Sequence, residues 1–531
     1  MQNPGRRAIS LIMPARSSTL IAACCVAALA SAHAARADPA ADRQVIHVLN
    51  RIAFGPTRQE VDRLRLVGID RYIAEQLDPG GLAEPPALTE RLAPLDRLKL
   101  DTAQLYKRYG PLTTAANGGV APTAEQVEAR IKEADVIQQQ ASAARIYRAL
   151  YSPRQLQEVM VDFWFNHFNI FAYKGFDLLW VGDYEDRAIR PHVLGHFRDL
   201  LLATARHPAM VYYLDRQTST APGSANAKGE FAGLNENYAR ELMELHTLGV
   251  DGGYTQDDVV TLARIFTGWG FDYANMDAGS GSAAGFDPSR HDGSDKVFLG
   301  QQIKGGGAEE SVAAIDILAR SPATAHHIAF ELAQYFVADQ PPPALVDRLA
   351  RRFGETDGDI KAVMETLLTS PEFRASVGQK YKTPYQYVLS AVRAGGVEVR
   401  NLEPLLGTMA RLGEPLYLCQ TPDGYKNTEA EWLNPDATTL RIDFASLLAS
   451  GAFLLYAPPA ASPQAATPMA ERRLVAERAP SAGLKPRPVD AAALEDLLSP
   501  ALGERTRATL AAAPAWLKAA LILGSPDFMR R

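Results

Sequence analysis

The chain has 531 residues, of which 47% are hydrophobic and 22% are charged, and its formal net charge is −6. This weakly acidic balance argues against a nucleic-acid-binding surface, which requires concentrated Lys and Arg. A chain of this length suggests two or three compact units. After the N-terminal segment, no stretch is long and apolar enough to suggest a transmembrane span.

Residues 1–37 have the pattern of an export signal. Arg6 and Arg7 give a basic start, and the apolar run over residues 19–32 is too short for a stable membrane span. A small-x-small cleavage motif ends directly before Asp38. We therefore expect an exported protein, periplasmic or extracellular, and the arginine pair leaves the twin-arginine route open beside general secretion.

The small number of cysteines limits the kinds of cross-link, metal site and cofactor attachment that the mature chain can contain. Cys24 and Cys25 would leave with the signal, so that only Cys419 remains. One cysteine allows no intramolecular disulfide, no Cys-based zinc cluster and no covalently attached haem. A chain of this length can bury enough core without a disulfide.

Helix start signals recur along the chain, whereas strand patterns are scarce. Capping boxes and Ser-Pro or Thr-Pro pairs open successive amphipathic segments, and Thr57 and Thr255 are examples of such caps. Short strands are expected around residues 297–303. We predict an all-α protein, built as an irregular multi-helix array in packed layers, with long loops and at most a few short strands.

Breaks rich in Pro, Gly and Ala divide the chain into segments. We predict an N-terminal helical region over residues 38–151 and a central helical domain over residues 152–456, which Ser152-Pro153 begins. An Ala/Pro-rich linker is expected over residues 457–488, and closing helices over residues 489–531.

The first candidate for a functional site is an aromatic helix that contains one histidine. Residues 161–169 read VDFWFNHFN, and their four aromatic side chains predict core packing. His167 shares the apolar face with Phe163, while Asp162 and Asn166 lie beside that face. One interpretation of His167 is a core histidine with a hydrogen-bond partner. The alternative is a metal ligand or a general base.

A helix pair over residues 235–269 carries the second candidate. At 100° per residue, Asn237, Glu241 and Glu244 share one face that borders the apolar stripe. Two carboxylates one turn apart repel each other unless they are solvated, paired or metal-bound. One interpretation is a structural network in which Arg240 and Arg264 neutralise them. The other is a metal or acid–base site.

Two loops adjoin this helix pair. Residues 217–234 are small, polar and glycine-bearing, and they lead directly into Asn235. Residues 270–307 form a long irregular region that contains His291 and Asp292. Loops of this kind in a compact protein often line a functional site.

Ten segments in a fixed order resemble one protein family. They are LNRIAFGPT, FWFNHF, HFRDLLLATARHPAMVYYLD, NENYARELMELHTLG, GGYTQDDV, FTGW, HDGSDKVFLG, PATAHHIAFELAQYFV, LLTSPEF and WLNP. Together they resemble the bacterial family called domain of unknown function 1800, over roughly residues 45–449. The chain differs from the family pattern at Tyr425, where a tryptophan is usual, and at His196, where an asparagine is usual.

The resemblance implies an exported, helical protein and brings no established activity. Members of the family are often encoded beside another exported family that looks like the alkaline phosphatase and sulfatase superfamily, which implies a partner of that kind. The polar motif positions that match in this chain are His167, Asn235, Glu236, Asn237, Arg240, Glu241, Glu244, His291 and Asp292.

Two functions remain open from the sequence. In the first, the protein is an exported enzyme of the hydrolase type that acts on a glycan or another envelope or extracellular substrate. Glu241, Glu244 and His167 would be its catalytic residues, or the ligands of a divalent metal. Its binding residues would be Asn235, Glu236, Asn237, Arg240, His291 and Asp292. In the second, the protein is a non-catalytic envelope scaffold that binds an exported phosphatase/sulfatase-like protein.

Overall fold

The computed structural model describes residues 39–112, 119–458 and 484–531. The predicted export signal and residues 459–483 of the predicted linker lie outside these described residues. Helices dominate, and the few strands are short, so the predicted all-α class with irregular packed layers is confirmed. Within the described ranges, no helix combines the length and the apolar composition needed to cross a membrane. The predicted division into domains stays a prediction.

The helices of the first part of the chain are α1 (Pro39–Ile52), α2 (Arg58–Val67), α3 (Ile69–Gln76), α4 (Pro86–Leu92), α5 (Thr102–Tyr109), α6 (Ala124–Tyr151), α7 (Gln155–His167), α8 (Asp177–Asp183), α9 (Phe197–Arg206), α10 (Pro208–Tyr213), α11 (Asn237–Glu244), α12 (Gln256–Ile265) and α13 (Tyr273–Ala278). A π-helical turn, Tyr184–Ile189, extends α8.

The helices of the second part are α14 (Glu309–Ala319), α15 (Pro322–Phe336), α16 (Pro343–Glu355), α17 (Ile360–Leu368), α18 (Pro371–Ala375), α19 (Pro384–Ala394), α20 (Glu403–Arg411), α21 (Glu429–Trp432), α22 (Pro435–Ala449), α23 (Ala491–Leu498), α24 (Glu504–Ala512) and α25 (Ala515–Leu523). Short 3-10 turns occupy Pro79–Gly81, Asp96–Lys99, Arg190–His192, Arg216–Thr218, Gly229–Phe231, Pro288–Arg290 and Ser499–Ala501.

Local capping determines where many of these helices begin. Thr57 accepts the N–H of Glu60 at the start of α2, which confirms the predicted helix start there. Thr255 and Asp258 form the predicted reciprocal capping box of α12. Such side chains satisfy the N–H groups that a helix leaves unpaired in its first turn.

Four short strands form two antiparallel hairpins in the long irregular region. The first pairs β1 (Trp269–Phe271) with β2 (Ala284–Phe286), and the second pairs β3 (Lys296–Phe298) with β4 (Gln301–Ile303). The short strands predicted around residues 297–303 are confirmed as β3 and β4, whereas β1 and β2 were not predicted.

One hydrophobic core connects nearly all of the described elements. Its buried side chains run from Val45 near the N-terminus to Met529 near the C-terminus. The predicted aromatic core of α7 is confirmed, because Trp164 is fully buried and Phe163, Phe165 and Phe168 are nearly so. Helix α7 therefore lies inside the protein, and its last turn presents polar side chains to an internal space.

Candidate functional site

A cavity of ≈ 250 Å³ lies at the end of α7. Its walls come from α7, the end of α11, helix α15, the start of α19 and the loop after α20. The polar and charged lining residues are Arg145, Asp162, Asn166, His167, Asn169, Glu244, His327, Glu331, Gln334, Thr383, Glu414, Asp423, Lys426 and Asn427. The aromatic lining residues are Phe163, Phe165, Tyr335, Tyr385, Tyr417 and Tyr425. A space of this size, with convergent polar groups, is a candidate binding site.

His167 forms a charged pair across the cavity wall. Its Nδ1 lies 2.6 Å from Oε2 of Glu331, and its Nε2 lies 3.2 Å from the carbonyl oxygen of His246. Both ring nitrogens of His167 therefore lie within hydrogen-bond distance of oxygen atoms. Burial alone would raise the pKa of Glu331, but the charge and hydrogen bond of His167 hold it below its usual value.

Two more histidines surround this pair. His327 Nε2 lies 3.1 Å from the carbonyl oxygen of Leu245 and 3.5 Å from Oε1 of Glu331. His246 is buried, and burial, together with the neighbouring histidines, lowers its pKa well below 6.5. Gly249 has a φ of 84°, and a Cβ there would lie 3.2 Å from the His327 ring, so the turn after α11 requires glycine.

The described residues contain no group of three or more His, Cys, Asp or Glu side chains arranged to hold a metal ion. The predicted role of Glu241, Glu244 and His167 as metal ligands stays a prediction. The His167 ring already directs both nitrogens to protein oxygens, as the two contacts above show.

Arg145 balances the carboxylates on one side of the cavity. Its side chain is 5% exposed and binds Asp162 at 2.6 Å and Glu185 at 3.2 Å. The hydroxyl of Tyr335 donates to the second oxygen of Asp162 at 3.1 Å. The charge of this buried arginine is thus matched by protein groups.

Glu414 is a cavity carboxyl whose pKa is strongly altered by its environment. Burial, followed by the charge of Asp162, raises the pKa of Glu414 to about 8. Its Oε2 accepts the N–H of Tyr385 at 2.7 Å. Glu414 therefore carries a proton at neutral pH and has a transferable proton in a cavity with ionised carboxylates.

One of the two carboxylates predicted from the α11 face, Glu244, lies at this cavity. Glu244 lines the cavity, and Glu241 lies one turn before it. Within the described part of the chain, neither carboxylate has a hydrogen bond or an ion pair. Burial raises the pKa of Glu241, and the charges of Glu244 and Asp423 raise it further.

The predicted neutralisation of these carboxylates by two arginines is wrong. Arg240 binds Glu236 at 3.2 Å, and Arg264 binds Asp292 at 2.6 Å. Each arginine therefore forms its ion pair with a different carboxylate, although the charge of Arg240 still lowers the pKa of Glu241.

The remaining predicted residues of this segment hold the backbone together and do not line the cavity. Asn235 donates to the carbonyl oxygen of Asp215 at 3.0 Å and to the hydroxyl of Thr218 at 3.1 Å. Asn237 donates to the carbonyl oxygen of Leu214 at 3.4 Å. Glu236 and Arg240 bind each other and Gln256 at the surface.

His291 and Asp292 belong to a separate buried cluster that contributes no residue to the cavity wall. His291 Nε2 lies 2.9 Å from Oε1 of Glu310, and Lys296 Nζ lies 2.6 Å from Oε2 of the same residue. The side chains of Lys296 and Glu310 are both 0% exposed. His291 Nδ1 lies 2.9 Å from the carbonyl oxygen of Thr267. These groups satisfy one another.

Two asparagines of the FWFNHFN motif anchor the loop that closes the cavity. Asn166 donates to the carbonyl oxygen of Tyr425 at 2.9 Å and accepts the N–H of Tyr425 at 2.7 Å. Asn169 donates to the carbonyl oxygens of Cys419 and Thr421. Gly424 has a φ of 65°, and a Cβ there would lie 2.3 Å from the Asn166 carbonyl oxygen. The motif thus supplies both His167 and the loop anchors.

Sequence reasoning missed several residues of the cavity. Glu331 and His327 lie four residues apart on α15, a spacing that places them on one helix face and offers a local signal. Glu414 gave no such signal, because it lies alone in a loop and acquires its raised pKa from its surroundings. Arg145 and Asp162 come together only in the fold.

Comparison with known proteins gives one family match. The model of the family described as protein of unknown function DUF1800 matches residues 47–530. This match covers nearly the whole chain, including all of the residues that line the cavity. No curated protein and no solved structure shows significant similarity to the chain.

Proposed function

The chain belongs to the DUF1800 family, and from that premise we propose that it is an exported, carboxylate-dependent enzyme of the hydrolase type. One observation carries the proposal: a protonated carboxyl, Glu414, and an unpaired carboxylate, Glu244, line the same cavity. Hydrolysis by general acid–base catalysis requires this pair of groups in different protonation states.

The two carboxyl groups take complementary roles. Glu244 accepts a proton from the attacking water as the bond between the water oxygen and the substrate forms. Glu414 donates its proton to the leaving group as the scissile bond breaks. Glu244 then releases its proton to the solvent, and Glu414 takes up a proton from the solvent before the next cycle. His167 and Glu331 form an ion pair that holds the wall of the cavity in position.

The environment of Glu414 suits a general acid. A carboxyl with a pKa of about 8 retains its proton at neutral pH, where an ordinary glutamate has lost it. The charge of Asp162, which Arg145 binds at 2.6 Å, contributes to the raised pKa of Glu414. The aromatic walls limit the access of water and strengthen these electrostatic effects.

Site-directed variants and a substrate panel test this proposal. The purified mature chain would be assayed against chromogenic glycosides, carboxylic esters and phosphate esters. For any substrate that is turned over, Glu414→Gln should lower kcat by about 10²–10⁴-fold, the usual contribution of general acid catalysis. Glu236→Gln removes a carboxylate from the same region outside the cavity and should leave kcat unchanged.

Full activity in Glu414→Gln would contradict the assigned role. Absence of turnover on every substrate class, together with recovery of a phosphatase/sulfatase-like protein in a pull-down from envelope extract, would favour the non-catalytic scaffold instead. The two outcomes can be told apart. Full activity in Glu414→Gln would remove the role of one residue, whereas absence of turnover on every substrate class would remove the catalytic role of the whole cavity.

We also propose export, on the basis of the basic, apolar and small-x-small pattern of residues 1–37. Cell fractionation with N-terminal sequencing of the recovered protein tests this part. A mature N-terminus close to Asp38, found in the periplasm or the medium, is the expected result. A cytoplasmic protein that keeps Met1 would contradict it.

A further inference from the structure

The aliphatic side chains of the cavity wall are among its more exposed groups. Three such residues line the cavity, namely Leu245, Val250 and Leu416, and none of the three is buried. Val250 is 67% exposed, in the turn after α11 that contains Gly249. The lining residue Tyr385, by contrast, is 2% exposed. Apolar surface that remains in contact with water favours the binding of an apolar group.

Two of these aliphatic residues adjoin the carboxyl groups of the proposed reaction. Leu245 directly follows Glu244 in the chain, and Leu416 lies two positions after Glu414. All four side chains line the same cavity of ≈ 250 Å³. A bond held between the two carboxyl groups would therefore have an aliphatic surface next to it. A sugar ring at this place would turn hydroxyl groups toward leucine side chains, which offer them no hydrogen bond.

The charges of the cavity wall favour an uncharged ligand. The Lys and Arg side chains of the described wall are Arg145 and Lys426. Arg145 binds Asp162 at 2.6 Å. Lys426 forms an ion pair with Asp423. An anionic ligand would have to displace one of these carboxylates, and it would also meet Glu244. A cationic ligand at Glu244 would occupy the carboxylate that accepts the proton of water in the proposed reaction.

We propose that the substrate of this cavity is an uncharged carboxylic ester whose aliphatic chain packs against Leu245, Val250 and Leu416. A water oxygen bonds to the ester carbonyl carbon and its proton passes to Glu244. The bond between that carbon and the alcohol oxygen then breaks as Glu414 gives its proton to the departing oxygen. The products are a carboxylic acid and an alcohol. The reaction rests on the proposed function above, whereas the binding of the aliphatic chain depends on the three aliphatic side chains alone.

Three small probes test the binding without catalysis. N-hexylacetamide is an uncharged, slowly hydrolysed analogue of an aliphatic ester. Acetamide lacks the aliphatic chain, and hexanoate is negatively charged at neutral pH. The mature protein, labelled with ¹³C at its Leu and Val methyl groups, would be titrated with each probe and followed by NMR. N-hexylacetamide should bind at least about tenfold more tightly than either of the others, because its chain leaves water and brings no charge. The methyl resonances of Val250, identified as those lost in Val250→Ala, should shift.

Two exposed valines provide a variant and its matched control. Val250→Asp places a charge beside the aliphatic chain, so it should weaken the binding of N-hexylacetamide at least about fivefold and leave that of acetamide unchanged. Val127 is 39% exposed on α6 and does not line the cavity, so Val127→Asp should keep the wild-type affinity. Both valines are exposed, so both variants should fold, and circular dichroism would verify this.

Equal affinity for N-hexylacetamide and acetamide would overturn the inference. Tighter binding of hexanoate would do the same, as would a loss of affinity in Val127→Asp as large as that in Val250→Asp. Failure here is separable from failure of the proposed function. If the inference fails alone, Glu414→Gln still lowers turnover of a substrate without an aliphatic chain. If the catalytic proposal fails alone, N-hexylacetamide still binds and shifts the Val250 resonances, but no ester is hydrolysed.

Discussion

Two ionic clusters in this protein contain similar groups, but they differ in whether their carboxylates are paired with protein groups. Around Glu310, one carboxylate receives both His291 and Lys296, and the ring and ammonium find further oxygen acceptors nearby. Around the cavity, Glu241 and Glu244 have no protein partner, and Glu414 keeps a proton. Both clusters contain carboxylates and histidine, so composition alone does not separate structural from functional sites. The two clusters differ in that the carboxylate of Glu310 is paired, whereas Glu244 at the cavity wall is not.

The strongest test of this contrast is Glu310→Gln. It removes the closest counter-charge of Lys296 and leaves Asp292 at 3.9 Å, in a site that excludes water, so the free energy of unfolding should fall by about 3–5 kcal/mol. Urea denaturation followed by circular dichroism measures it. The neighbouring exposed Glu309→Gln is the matched control and should change stability by less than about 0.5 kcal/mol. A loss below about 1 kcal/mol for Glu310→Gln would show that the cluster is not structural.

The next largest effect is the dependence of the protein's stability on pH that the ionisation of Glu414 causes. Its pKa is about 8 in the folded protein and 4.5 as an ordinary glutamate, so the folded state holds the extra proton between those values. Wild-type stability should therefore fall as the pH rises from about 4.5 to about 8. Glu414→Gln keeps a neutral group at every pH, and it should exceed the wild type by on the order of 2 kcal/mol at pH 9.

Parallel urea titrations of both proteins at pH 5 and pH 9 measure this difference. The stability advantage of Glu414→Gln should be small at pH 5 and larger at pH 9, because the wild-type carboxyl is charged only at the higher pH. An advantage that does not change with pH would contradict the raised pKa of Glu414. This result is independent of any substrate.

Removal of the loop anchor should have a smaller effect. Asn166→Ala deletes both hydrogen bonds to Tyr425, which should lower the free energy of unfolding by about 1–2 kcal/mol. Hydrogen exchange of the loop backbone around Gly424 should accelerate. Asn427→Ala, in the same loop, is the control, since only the backbone oxygen of Asn427 holds Lys380. Equal protection of the loop backbone from hydrogen exchange in Asn166→Ala and Asn427→Ala would rule out the anchoring role of Asn166.

The smallest effect is expected at the surface pair of α11. Arg240→Ala breaks a half-exposed ion pair with Glu236 and should cost less than about 1 kcal/mol. Thermal unfolding should shift only slightly, and added salt should reduce the shift. A large destabilisation would mean that Arg240 neutralises the cavity carboxylates, although it forms no ion pair with Glu241.

The sequence predicted the features that local interactions determine. Caps at Thr57 and Thr255 gave correct helix starts, and the aromatic run of α7 gave a buried helix. Helical periodicity placed Glu241 and Glu244 on one face, and Glu244 lines the cavity. Each of these features depends on residues within a few positions of one another, where backbone geometry alone fixes the relation.

The partners of these residues could not be predicted in the same way. His167 meets Glu331 across 164 positions of sequence, and Asn166 meets Tyr425 across 259. A lone loop carboxyl such as Glu414 has an ordinary pKa until burial changes it. His291 and Asp292 do not line the cavity, contrary to what the adjacent loops had suggested. His291 is hydrogen-bonded to Glu310, and Asp292 accepts a hydrogen bond from Arg264.

The anchoring of the Tyr425 loop by Asn166 also has a consequence for the order of folding. The contact joins residues 259 positions apart, so it can form only after most of the intervening helices have condensed and the entropy of closing so long a segment has been overcome. We expect the cavity to be completed late, from a compact intermediate that already has its helical core. Such an intermediate would have native helix content and no binding capacity.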